Sequence, residues 1–172
     1  MKETLTKVDK IIYKCKEIFY KKMKIYNLSW LVLNKKSLID KIFIKIKRVR
    51  KIQYGNKKIN ENIIETFISI INYSLMFLIK NDCNNISKEN ILIEYDNQLS
   101  YAKKLMIKKN HDYDESWKDI ELSSIIDIIF QKIIRIKSLE KNDIKDNYNY
   151  MENYLDIINY SFFSIIKIEN IL

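Results

Sequence analysis

Shifted by 87 positions, the sequence falls on itself without a gap. Lys22 meets Lys109, Tyr26 meets Tyr113, and Ser29-Trp30 meets Ser116-Trp117. Ser37, Asp40, Phe43, Lys45, Ile46 and Arg48 meet Ser124, Asp127, Phe130, Lys132, Ile133 and Arg135. Further on, Glu65 meets Glu152 and Asn72-Tyr73-Ser74 meets Asn159-Tyr160-Ser161. Both tryptophans of the chain obey this one register, which compositional bias does not arrange. Such a chain folds as two copies of one unit.

The unit is helical. Gly occurs once and Pro not at all, which leaves little to break helices or to build the tight turns of an all-β fold. Apolar residues recur at spacings of three and four. Leu5, Val8, Ile12, Cys15 and Phe19 form a first stripe, and Ile39, Ile42, Phe43, Ile46 and Val49 a second. Ile64, Phe67, Ile68, Ile71, Leu75 and Leu78 form a third. The second unit repeats the pattern around 92–107, 126–136 and 154–166. Ser37 and Ser124 stand as N-caps or first-turn residues of the middle helices, and polar stretches at 53–60 and 140–149 read as connections. Three amphipathic helices expose apolar surface, and a copy of the same unit can bury it. The expectation is an all-α helical bundle of two tandem three-helix repeats related by a pseudo-twofold axis: 1–80, a linker at 81–88, and 89–172.

The net charge of +9 admits nucleic acid or an anionic surface as a partner, but Ile, Lys and Asn abundance is also what an AT-biased, reduced symbiont genome imposes. Cys15 and Cys83 have no CxxC spacing and only one His exists, so a zinc set is not legible and a reduced, cytoplasmic chain fits. The first ten residues alternate charged and apolar types, unlike a secretory leader. The most apolar window, 63–79, is short for a membrane span and carries Glu65 and Asn72; no membrane partner is expected.

The polar matches between copies carry the candidate chemistry. Glu61, Glu65, Ser69 and Asn72 lie on one helical face, as do Tyr148, Glu152, Asp156 and Asn159. Carboxylates one turn apart beside an amide are hard oxygen ligands suited to Mg²⁺ and, through it, a polyphosphate; the competing reading is a solvated helix face. Asp40, Lys45 and Arg48, with Asp127, Lys132 and Arg135, offer cations for phosphate oxygens, or simply surface ion pairs. Tyr26 with Trp30, and Tyr113 with Trp117, stand beside cations and could stack a base, or plug the end of a core. His111 has Lys24 as its counterpart and is incidental. Gly-rich phosphate loops and Ser/His/Asp patterns are absent, which excludes the α/β nucleotide-binding folds.

At these residues the chain resembles the nucleotide modification associated domain 1 family, in its tandem double-domain form from Bacteroidetes-type bacteria. The family pattern runs K-x-x-D-Y-G-x-x-W, then S-L-x-D and K-x-x-R on one helix, then acids leading into N-Y. The second unit matches with Lys109, Asp112, Tyr113, Trp117, Ser124, Asp127, Lys132, Arg135, Asp156, Asn159 and Tyr160. The first matches with Lys22, Tyr26, Trp30, Ser37, Leu38, Asp40, Lys45, Arg48, Glu61, Glu65, Asn72 and Tyr73. The family glycine is Asn27 in one unit and Asp114 in the other, and an expected third-helix acid is Ser69.

The resemblance implies a role in nucleotide metabolism or modification, and its helical build is similar to the all-α nucleoside triphosphate pyrophosphohydrolases. The expected function is binding of a nucleotide or nucleotide-like molecule, with hydrolysis by a metal-bound water if the chain is an Mg-dependent enzyme. Glu65, Asp127, Glu152 and Asp156 are the candidate Mg²⁺ ligands. Lys45, Arg48, Lys132 and Arg135 with Asn72, Asn159, Tyr113 and Trp117 are the candidate substrate contacts. The alternatives are a non-catalytic nucleic-acid-binding module using Lys41, Lys45, Lys47, Arg48, Arg50 and Lys51, and a structural adaptor. The repeats close on each other within a monomer or between chains of a homodimer.

Overall fold

The computed structural model describes residues 1–54, 61–82, 87–142, 144 and 146–171, the side chains of 53, 54, 61, 62 and 82 excepted. Among them are six long helices: α1 (Lys2–Tyr26), α2 (Lys35–Tyr54), α3 (Glu61–Asp82), α4 (Lys88–Asp112), α5 (Leu122–Lys141) and α6 (Asn147–Glu169). Short 3₁₀ turns, Ser29–Val32 and Ser116–Lys118, precede α2 and α5. Of the expected linker 81–88, the first two residues extend α3, 83–86 lie outside the described residues, and α4 starts at its end. Most of the 53–60 connection and Cys83 lie outside them too.

The third helices, α3 and α6, pack against each other at the centre. The pair α2 and α5 covers one side, each on its own third helix and against the other, while α1 and α4 both rest on α3 and α6. Because neighbours surround them, α3 and α6 are apolar nearly all round rather than along one stripe; every residue from Asn153 to Asn159 is buried. By length and composition, the window Ile63–Asn81 of α3 could cross a membrane, and 72% of it is buried inside the bundle. Each fully buried Ile, Leu or Phe of this core contributes roughly 1.5–3 kcal/mol.

Ion pairs reveal the pseudo-twofold relation. Between α1 and α4, Asp9 meets Lys103 at 2.5 Å and Asp96 meets Lys16 at 2.8 Å; shifting either pair by 87 residues and exchanging helices produces the other. Between α2 and α5, Asp40 pairs with Lys137 and Asp127 with Arg50 at 3.3 Å, related in the same way. Phe43 packs against its own copy Phe130, ring centroids 5.6 Å apart. A residue meeting its own copy marks where a twofold axis passes. Lys137 lies over Phe43 and Arg50 over Phe130, completing the symmetric cluster.

Helix starts refine the sequence reading. Asn34 caps α2, its Oδ1 accepting from the Ser37 amide at 2.7 Å, so Ser37 is a first-turn residue; Ser124 occupies the same turn of α5 behind Glu121, which makes no side-chain cap bond. Ser87 caps α4 and Asp146 caps α6. Cys15 is buried, and burial pushes its thiol up to about 12, which leaves it unreactive.

Candidate functional site

In each repeat, the end of the first helix, the 3₁₀ turn and the third helix wall a cavity. The chain leaves α1 through Asn27 at φ 52°, ψ −134°, and leaves α4 through Asp114 and Glu115 at φ 48° and 53°. Positive φ favours glycine, which is why the resemblance pattern has Gly where this chain has Asn27 and Asp114; Asn and Asp are the side chains that tolerate it best. The reversal tucks Trp30 and Trp117 inward. A lysine from the end of each third helix then latches the turn. Lys80 donates to the Leu31 and Leu33 carbonyls, at 2.5 Å each, and its copy Lys167 donates to the Lys118 carbonyl at 2.8 Å.

The two cavities are lined by matching residues. The second-repeat cavity, about 320 Å³, is walled by Met106, Lys109, Asn110, Tyr113, Ser116, Trp117, Ile120, Asp156, Asn159, Tyr160 and Phe163. The first, about 440 Å³, is walled by their counterparts Phe19, Lys22, Met23, Tyr26, Ser29, Trp30, Leu33, Tyr73 and Met76, with Asn27 and Lys41 added.

In the second cavity Asp156 is held by two lysines. Lys109 donates to Oδ1 at 2.5 Å and Lys132 contacts Oδ2 at 2.7 Å. Burial would lower the Lys109 ammonium, but the hydrogen bond to Asp156 and its charge, with Glu152 and Tyr160 adding, raise it above the ordinary lysine value. One turn further along α6, Asn159 is 4% exposed and neither its amide nitrogen nor its amide oxygen has a hydrogen-bond partner. The copy accounts for the free oxygen. Asn72 donates to the Cys15 carbonyl at 3.4 Å and accepts from the Tyr95 hydroxyl at 2.7 Å; Val8 occupies the position equivalent to Tyr95, and it has no hydroxyl to offer. The aromatic wall beside Asn159 is ordered: Trp117 stacks on Phe163 at 4.5 Å and 3°, and Tyr160 meets Phe163 edge-on.

The sequence-predicted residues thus separate. Tyr113, Trp117, Asp156 and Asn159 share the cavity, and Lys132 reaches it through Asp156. Asp127 is instead an inter-repeat ion-pair acid bound to Arg50. Asn72 is tied up by Tyr95 and the Cys15 carbonyl, and Lys45 lies half-buried over the Tyr73 ring of the first repeat. Glu65, Arg48, Arg135 and Glu152 are exposed, although the Glu152 charge is felt at Lys109. The four expected Mg²⁺ ligands therefore do not converge. Both Asp156 oxygens are engaged by ammonium groups, and among the described residues no three His, Cys, Asp or Glu side chains gather for a metal. A resident Mg²⁺ does not fit this donor set. Lys109, Asn110 and Tyr160 line the cavity and Lys167 latches the turn beside it, none of them having been singled out as contacts. The signal for Lys109 was its place at the head of the repeat match; Lys167 carried only its register with Lys80.

The nucleotide modification associated domain 1 family model matches residues 22–80 and 109–168. The chain belongs to the nucleotide modification associated domain 1 family. No curated protein and no solved structure matches it. The two matched segments open at Lys22 and Lys109, the cavity lysines, and each runs through its tryptophan to its third helix. Each copy of the nucleotide modification associated domain thus carries every polar group of its own cavity, while α1 and α4 up to those lysines are the scaffold that the two copies share.

Proposed function

We propose that the second-repeat cavity binds a nucleotide or nucleotide-like small molecule, with the ring against Trp117 and Tyr160 and its polar edge on the Asn159 amide. The observation that carries this reading is the buried, unpartnered amide. A side-chain amide offers an adjacent donor and acceptor, the pattern that pairs bidentately with a nucleobase edge such as adenine. Leaving such groups unsatisfied costs roughly 1–3 kcal/mol each, and a ligand that bonds both recovers it. The cavity volume falls in the range of small-molecule sites, about 300–1,000 Å³. Lys109, Lys132 and the exposed Arg135 supply the positive field that a phosphate favours, with the Asp156 carboxylate moderating it. Membership of the nucleotide modification associated domain family supports the ligand class.

Thermal shift and calorimetry of the full chain with a panel of nucleosides and nucleotides, with and without Mg²⁺, test the reading. Asn159→Leu should abolish binding while leaving the unliganded protein as stable or more so, because it removes an unsatisfied amide. Asn72→Leu, which breaks two bonds, should destabilise. Phosphorus NMR of nucleoside triphosphates with Mg²⁺ shows whether phosphate is released as well. Failure of every nucleotide to stabilise the protein, or parallel losses of stability in both variants, would refute the proposal. Binding of duplex nucleic acid instead, with steep salt dependence, would favour a backbone-binding module.

A further inference from the structure

The repeat supplies its own comparison. In the second unit a carboxylate, Asp156, stands between Lys109 and Lys132, at 2.5 and 2.7 Å. In the first unit the equivalent lysines are Lys22 and Lys45, and the equivalent of Asp156 is Ser69. The anion is missing but the cations remain, and Lys41 joins them where the second unit has Ile128. Among the described residues no carboxylate pairs with Lys22, Lys41, Lys45 or Arg48. Lys41 and Lys45 both lie over the Tyr73 ring, 5.8 and 5.9 Å from its centroid. Burial first, and then the charges of Lys22, Arg48 and Lys41, depress the Lys45 ammonium, so neighbouring cations add to the desolvation and no carboxylate offsets it. The cavity beside them is the larger of the two, about 440 Å³, and Trp30 and Tyr26 line it.

We propose that the first-repeat cavity is a separate, metal-free anion site that takes a phosphate group, free or as a monoester, between Lys22 and Lys45. The phosphate takes the place that Asp156 fills in the other repeat, and an attached ring lies toward Trp30. Duplication thus left one cavity with a built-in anion and one that must take its anion from solution. The proposal is independent of the nucleotide reading of the second cavity, which rests on Asn159; the corresponding amide here, Asn72, is already bonded.

The test is calorimetric titration of the full chain, with EDTA present, by inorganic phosphate, adenosine 5′-monophosphate and adenosine. The two phosphate probes should bind and adenosine should not bind this cavity; the ratio of their affinities tells whether free or esterified phosphate is preferred. Ser69→Asp, which writes the second repeat's carboxylate into the first, should weaken phosphate binding at least tenfold and raise the melting temperature. Lys22→Gln, at an exposed position, should weaken binding several-fold with an unchanged melting temperature. Binding should also take up a proton at alkaline pH, as Lys45 regains its ordinary basicity, so the measured heat should vary with the buffer's ionisation enthalpy. Absence of phosphate binding, or full affinity in Ser69→Asp, overturns the proposal. Binding removed by Asn159→Leu but indifferent to Ser69→Asp overturns it while leaving the second-cavity reading standing; binding removed by Ser69→Asp but indifferent to Asn159→Leu does the reverse.

Discussion

Replacing Asp156 by Asn isolates the difference between the acid inside the cavity and its sequence twin in apparent importance, Asp127. The Asp156 side chain is 10% exposed and bonded by both oxygens, with the Lys132 partner 17% exposed and Lys109 38%. Removing one partner of a buried ion pair costs about 3–5 kcal/mol. Lys109 is exposed enough to be rehydrated, so its share is screened, and the Asn carbonyl still accepts one bond; about 2–3 kcal/mol remains, set mostly by Lys132. For a chain of this length, 1 kcal/mol moves the melting temperature by about 2–4 °C, which makes the expected fall about 4–12 °C. Asp127 is 51% exposed and meets Arg50 at 3.3 Å; such surface pairs contribute about 0–1 kcal/mol. Differential scanning calorimetry at pH 7 in low and high salt separates the two. The Asp127→Asn effect should be small and vanish in salt, whereas the Asp156→Asn effect should persist because partial burial limits screening. A melting temperature unchanged or raised in Asp156→Asn, or equal losses in both variants, would refute the structural reasoning.

Asn27→Gly should stabilise the protein by about 1 kcal/mol, since φ 52°, ψ −134° is a region that costs a non-glycine residue about 1–3 kcal/mol and glycine gives back part of that in unfolded-chain entropy; a lower urea midpoint in the variant contradicts it. Glu115 tests acid stability: burial pushes its carboxyl up, but hydrogen bonds from Lys118, the Met1 amine and Thr4 prevail and hold it at about 2, against 4.5 unperturbed. Its contribution is therefore full above pH 4.5 and lost as pH falls toward 2, so the stability gap between the native chain and Glu115→Gln should close across that window; a gap independent of pH between 5 and 2 speaks against the ion cluster.

Much of the fold was readable from the chain. The stripe Ile39, Ile42, Ile46 and Val49 is the buried face of α2, because spacing of three and four leaves no other face to bury. The site was only partly readable. Asp40 and Asp127 match between copies as faithfully as any residue, yet their partners Lys137 and Arg50 lie in the opposite repeat, and a match along one chain cannot tell an interface acid from a ligand-binding one. Trp30 and Trp117 are buried at helix junctions, as core plugs would be, and each also lines a cavity. Val8 reads along the chain only as a core residue of the first stripe, and Tyr95, which differs from it, falls outside the repeat match, although that difference decides which asparagine oxygen has a hydroxyl to bond.

Order, period and handedness of pattern are local properties, so the sequence by itself determined the duplication, the helices and the apolar faces that must meet. Which polar groups end up paired is a property of three-dimensional neighbours. Only the tertiary structure decided that Asn72 is satisfied and Asn159 is not, that Asp156 bridges two lysines while Ser69 leaves theirs unmatched, and that two once-identical cavities carry different charge. The physical reason is that burying a polar atom is costly unless a partner lies within about 3 Å, and that distance is fixed by packing between repeats rather than by position along the chain.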